Sequence, residues 1–240
     1  KSTLALVDND TLLASSFSQY QTFLNESTVI TGTADAAMVE RVGLRIKAAA
    51  EKWAAAEGQS AYLAKYQWEY RLVKSDEVNA WCMPGGKIVV YTGILPVTGD
   101  ETGLAVVLGH EVAHALLNHG QQRSSAAVLQ QIGAAGIYIF TAEKSAQSQQ
   151  LAMTLYGVGS ELFGTLPFSR SHESEADHIG LILMTLAGYN PDYSVSFWER
   201  MSALGAGKSP EFLSTHPSDA TRIRNLRSWI PEARARAAAL

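Results

Sequence analysis

An α+β fold, mainly α-helical, is predicted by three features of the chain. Apolar residues recur at helical spacing over most of its length, one stretch at 66–90 alternates with a period of two, and a proline-glycine turn interrupts that stretch. With 47% apolar side chains, the 240 residues can bury a substantial core, and no repeat or linker divides them, so one domain over 1–240 is expected. Charged side chains make up 18%, which argues against disorder. The formal charge of −4, without long basic clusters, gives no footprint for nucleic acid. The one cysteine, Cys82, excludes an internal disulfide and any cysteine-only metal site; in an apolar strand it reads as a buried structural thiol.

Taken in order, 35–57 reads as an amphipathic helix through Met38, Val42, Ile46 and Trp53, stopped at Gly58. Tyr66, Trp68, Tyr70 and Leu72 then alternate with polar neighbours. Strands at 78–83 and 87–92 follow, joined by Pro84, Gly85 and Gly86, and together these make a small antiparallel sheet. Helix returns at 100–119, with Asp100 in the cap region and Gly120 as the stop. The interval 125–168 carries only Glu143, Lys144 and Glu161 as charges and reads as helices joined by a polar turn. A helix at 171–187 closes at Gly188, and a last one follows Pro217 with Ile223, Leu226 and Ile230.

The chemistry concentrates in His110-Glu111-Val112-Ala113-His114. On a helix the two histidines share a face, so both imidazoles reach one metal ion, while Glu111 sits about 100° round. That is the spacing of metallopeptidases, in which zinc acidifies a water and the glutamate accepts its proton. Leu104, Val107, Leu108, Val112, Ala115 and Leu116 make this helix largely apolar, and ionisable groups inside it need a metal or partners to offset desolvation. His119, five residues past His114, falls roughly 140° round the same helix and reads as a helix-end histidine at the dipole's negative pole. Downstream, Glu173 and Asp177 share a face at i and i+4, with Glu175 on the other side. A carboxylate from this second helix would complete a two-histidine, one-glutamate site, and Asp177 suits an acceptor that fixes an imidazole tautomer.

At this point the chain resembles the zinc metallopeptidases that include the CAAX prenyl endopeptidase, the heat-shock protease HtpX, the mitochondrial protease Oma and bacterial periplasmic relatives. The resemblance runs from about 35 to 230. It rests on Asn79-Ala80-Trp81 with Pro84-Gly85-Gly86 and Thr92-Gly93-Ile94-Leu95; on the motif 110–114; on Ser169-Arg170 with Glu173, Ala176 and Asp177; and on Thr215-His216-Pro217 with Arg222-Ile223. It implies a zincin-like, gluzincin fold with the sheet beside the zinc helix. One zinc ion per chain would be held by His110, His114 and Glu173, with Glu111 as general base. Asn79, Ala80 and Trp81 would border the cleft and pair with an extended substrate, where Trp81 replaces a frequent phenylalanine and narrows the adjoining pocket. His216 would lie near the metal, as oxyanion donor or as a gate in the water position. Arg222 would orient a carboxylate or polarise a substrate carbonyl, or serve in structural pairing.

The expected function is therefore a zinc-dependent metalloendopeptidase acting on unfolded or misassembled proteins in envelope quality control. A metal-stabilised, chaperone-like binding module with little turnover stands as the alternative. The expected partners are a polypeptide substrate, no nucleic acid, and a peripheral membrane or envelope-protein contact, for which a hydrophobic hairpin in 125–168 is the candidate. No export signal is visible in 1–10, and the most apolar run, 179–189, is shorter than the ~20 residues of a bilayer helix. By resemblance, a bacterial cell envelope location is expected, periplasmic or lipid-anchored through a removed N-terminus.

Overall fold

The computed structural model describes residues 9–123, 125, 167–204, 210–217 and 220–240. Its first element, α1 (Asn9–Asn25), buries Leu12, Leu13, Ser16 and Tyr20 along one face. The short strand β1 (Val29–Ile30) leads to α2 (Ala34–Ala56), whose N-cap Thr33 accepts the Ala36 N–H. After the single turn α3 (Ser60–Leu63) come β2 (Glu69–Val73), β3 (Ala80–Met83) and β4 (Lys87–Tyr91). Gly85 and Gly86 at φ 89° and 83° make the β3–β4 turn in the left-handed region, where a side chain is strained.

The sheet is mixed, which corrects the expected antiparallel arrangement. Its order is β1-β2-β4-β3, with β2 and β4 parallel and the outer pairs antiparallel. The reason is burial: Ile88, Val89 and Val90 of β4 are fully enclosed and take the middle of the sheet, as a strand covered on both faces must be apolar throughout. β3 is left on the edge, with Ala80 and Cys82 turned into the main core and Trp81 and Met83 turned to the opposite face, where Tyr20 and Phe23 of α1 pack.

The main core lies between the sheet, α2 and a stack of helices. These are α4 (Leu95–Thr98), α5 (Glu101–Leu116), α6 (Arg170–Leu186), α7 (Tyr193–Leu204), the short α8 (Glu211–Thr215) and α9 (Ala220–Ala239). The helix carrying the histidine motif stops earlier than its sequence suggests. α5 ends at Leu116, Asn118 takes φ 56°, and His119 and Gly120 begin a new helical stretch. Residues 126–166 lie outside the described residues, and with them most of the interval expected to form a hydrophobic hairpin. No helix among the described residues is long and apolar enough to cross a membrane.

Where α5 crosses α6, the backbones touch. A Cβ on Gly109 would lie 2.8 Å from the Gly180 carbonyl oxygen, and one on Gly180 would lie 2.9 Å from the His110 Cα. Two glycines facing each other thus let α6 approach the histidine helix closely enough to deliver its own side chains. Replacing Gly180 with alanine forces the helices apart and is expected to destabilise the fold by about 1–3 kcal/mol, read as a lowered Tm in thermal unfolding. An unchanged Tm would show that the crossing has slack.

Candidate metal centre

α5 is capped by Asp100, whose side chain accepts the Gly103 N–H at 2.8 Å, and fourteen of its sixteen residues are buried. His110 and His114, one turn apart, project from it toward α6. Glu173 comes from the first turn of α6, where Ser169 accepts the His172 N–H at 3.1 Å. His216 caps the end of α8 and donates its backbone N–H to Phe212 O at 2.9 Å. One ligand atom from each of these four buried residues lies within 4.8 Å of all the others. The two Nε2 atoms are 3.0 Å apart, Glu173 carboxylate oxygens lie 3.2 and 3.3 Å from them, and His216 Nδ1 is 2.7 Å from Glu173 Oε1.

The outer partners decide which nitrogens carry protons. His110 Nδ1 is 3.0 Å from Asp177 Oδ1, and a carboxylate only accepts, so one proton stays on Nδ1 and Nε2 is the atom left to bind a second proton or a metal ion. A longer relay acts on His114. Glu175 Oε2 is 3.2 Å from His119 Nε2, and the His119 Nδ1 left bare accepts from His114 Nδ1 at 2.9 Å. Burial, aided by the neighbouring His172, pulls the His119 pKa down to about 4, which keeps it the neutral acceptor that this relay requires. The two Nε2 atoms therefore face one another across 3.0 Å, beside Glu173, whose Oε2 is 3.2 Å from that of His110.

Only a cation makes such a cluster tolerable in a dry site. Burial opposes charge on His110, yet the flanking Glu173 and Asp177 carboxylates raise its pKa to about 9, so the protein alone recruits a proton there. Burial pushes His114 well below its usual value, the neutral state in which imidazole ligates metal. Although burial opposes it, His216 and His110 hold Glu173 well below the usual carboxylate range. These donors, two imidazoles, a carboxylate and a third imidazole, fit a divalent ion.

Glu111 turns from the cluster into a cavity of about 360 Å³ that it lines with Ala80, Trp81, Phe168 and His216. Its Oε1 is 3.2 Å from His216 Nε2, and burial raises its pKa against the opposing pull of His216 and His110. Asn79 also borders the cavity, but its Oδ1 is turned onto the next backbone N–H, that of Ala80, at 2.9 Å. Arg222 lies behind the ligands. Its Nε and Nη2 sit 2.5 and 2.7 Å from Asp177, Nη2 is 2.9 Å from Glu173 Oε2, and the guanidinium stacks 3.3 Å over Trp198. It is placed to hold two carboxylates in register and is not among the residues that line the Glu111 cavity. Cys82 is buried, and burial pushes its thiol up, as expected of an inert core residue.

A helix-borne pair of histidines, a carboxylate from a second helix and a further glutamate beside an edge strand define a metallopeptidase centre of the HExxH type. The chain belongs to peptidase family M48, whose model matches residues 41–230. It is 40% identical to the mitochondrial metalloendopeptidase OMA1 of Schizosaccharomyces pombe over 174 residues, covering 71% of this chain and 49% of that protein. It is 34% identical to the human mitochondrial metalloendopeptidase OMA1 over 179 residues, 71% of this chain and 34% of the relative. The beta-barrel assembly-enhancing protease of Escherichia coli is 31% identical over 172 residues, 68% of this chain and 34% of the relative. The chain thus spans half or less of the length of these three relatives. The expected bacterial envelope location, periplasmic or lipid-anchored, is overturned, because two of the three relatives are mitochondrial proteins and only one is bacterial.

The His119–Glu175 relay was not foreseen from the sequence. Breaking it frees the His114 ring to rotate and to take the wrong tautomer. His119→Ala is expected to weaken divalent-metal affinity about 10–100-fold, measured by chelator competition. Equal affinity in the two proteins would remove His119 from the site.

Proposed function

We propose that this chain is a zinc-dependent endopeptidase that hydrolyses peptide bonds in unfolded or misassembled polypeptides. The observation that carries the reading is Glu111, a buried carboxyl beside the donor cluster that opens into a cavity bounded by a sheet edge. Nitrogen and oxygen donors in this number suit zinc, which when bound supplies Lewis acidity toward a carbonyl and a water. His110, His114 and Glu173 would hold it. Glu111 would take the proton of the attacking water and return it to the leaving amine, a task helped by the pKa that burial raises. Asp177 and Arg222 would keep His110 and Glu173 in place.

Substrate backbone has a natural seat on β3. Asn79 O bonds the Tyr91 N–H, so alternation directs the peptide groups of Ala80 and Cys82 outward to the open edge, Ala80 N–H toward the Asn79 side chain. An extended segment could add there as a further strand. Such a segment is available in an unfolded chain and rarely in a folded one.

His216 supports a gate. It lies between Glu111 and Glu173, at 3.2 and 2.7 Å, and so contacts both the residue that would serve as base and a residue that would hold the metal. Four protein donors make a closed centre, and closed centres belong to structural metals. This feature also favours the second reading, a metal-stabilised binding module that captures strands without turnover.

Glu111→Gln separates the two. The proposed peptidase loses cleavage of unfolded casein by about two orders of magnitude or more and keeps its zinc by metal analysis; undiminished cleavage in the variant would end the reading. For the gate, His216→Ala is expected to lower zinc affinity and to change peptide turnover, and a variant unchanged in both would exclude it.

A further inference from the structure

We propose that α1 sets the cleavage preference of this chain, by building with the edge strand a pocket for one aromatic or long aliphatic side chain of the substrate. The proposal rests on the peptidase reading above and names the side chain that such a site would select.

The cavity that holds Glu111 and His216 does not end at the sheet edge. It continues to Gln19 and Phe23 of α1, across Trp81, Met83 and Tyr91. α1 lies wholly outside the stretch 41–230 matched by the family model, so this wall is not part of the family core. Its aromatic rings pack on one another. Phe23 meets Trp81 edge-on at 5.0 Å, Tyr20 meets it at 6.4 Å, and Trp81 Nε1 donates to Tyr91 Oη at 3.2 Å. Phe23, Trp81, Met83 and Tyr91 are each only half-buried, which leaves apolar surface facing the cavity. At about 360 Å³ the cavity stands at the small end of ligand pockets, which run from ~300 to 1,000 Å³, and suits a short extended segment with one large side chain.

Strand geometry brings that side chain to α1. On β3, Ala80 and Cys82 face the main core, and Trp81 and Met83 face α1. In a strand added to the open edge, directly opposed residues point to the same face. Every second substrate side chain is therefore directed toward Trp81, and the nearest groups beyond the sheet are Phe23 and Gln19. Rings at this position gain edge-to-face contact as well as burial, and the flexible Met83 thioether adapts to long aliphatic chains. The selected substrate thus combines an open backbone with an exposed large apolar side chain. Folded proteins bury such side chains, so the pocket reinforces selection for unfolded chains.

The test uses alanine-based peptides carrying Phe, Leu or Ala at each central position in turn. Cleavage by the zinc-loaded protein is compared with that by Phe23→Ala and by Gln19→Trp, which fills the pocket without removing its wall. A second arm measures binding of the same peptides to Glu111→Gln, alone and combined with each substitution. At one position the wild-type protein is expected to prefer Phe and Leu over Ala, and both substitutions to cut that preference about tenfold, in kcat/KM and in affinity alike. A preference identical in all three proteins overturns the pocket and leaves the peptidase reading standing. Phe23-dependent binding without any cleavage supports the pocket and overturns the peptidase reading. Absence of any binding preference overturns the pocket whatever the turnover.

Discussion

The structure depends on two imidazole Nε2 atoms held face to face inside a dry core. Asp177 on one side and the His119–Glu175 relay on the other fix the protons of His110 and His114 on Nδ1, so the two Nε2 atoms point at one another across 3.0 Å. Two imidazoles and a buried carboxylate, the Glu173 Oε2 held by Arg222 at 2.9 Å, are costly to crowd together without a shared cation. A cation turns every one of these liabilities into a bond. The scaffold keeps the donors poised for it, at a folding cost borne by the rest of the core.

That core is arranged to keep the donors from relaxing apart. Gly109 and Gly180 let the α5 and α6 backbones touch, which fixes the distance between the histidines and Glu173 independently of side-chain flexibility. Arg222 closes the rear, where it bridges Asp177 and Glu173 and stacks on the buried Trp198. One guanidinium thereby couples Glu173 to the carboxylate that holds His110. From this cluster the cavity side carries only Glu111 and His216, while Arg222 is not among the residues that line it.

Much of this was legible in the sequence, for physical reasons that differ by residue. His110, His114, Glu173 and Asp177 lie at i and i+4 spacings within uninterrupted helices, where periodicity translates directly into a shared face. His119 was misread because the same wheel was carried past Leu116. The chain breaks at Asn118, whose positive φ no helical period announces, and the break swings His119 back onto His114. The strands were recognisable from alternation and from the glycine turn, but pairing order was not. Nothing local tells that the apolar β4 must enter the middle of the sheet and lie parallel to β2. α1 was missed as well. Its buried positions, Leu12, Leu13, Ser16 and Tyr20, include a serine whose hydroxyl donates to the Pro84 carbonyl at 2.7 Å, a contact across the fold that weakens the apolar signal in sequence.

The central claim is that one zinc ion is gripped by His110 Nε2, His114 Nε2 and a Glu173 oxygen. Anomalous diffraction at the zinc edge, from crystals of the chain loaded with one equivalent of the metal, tests it most directly. A single strong peak between the two imidazoles, about 2.0–2.2 Å from each nitrogen and from Glu173, is the result predicted. A fully loaded crystal with its peak elsewhere, and Glu173 engaged only by Arg222, would contradict the account at its base.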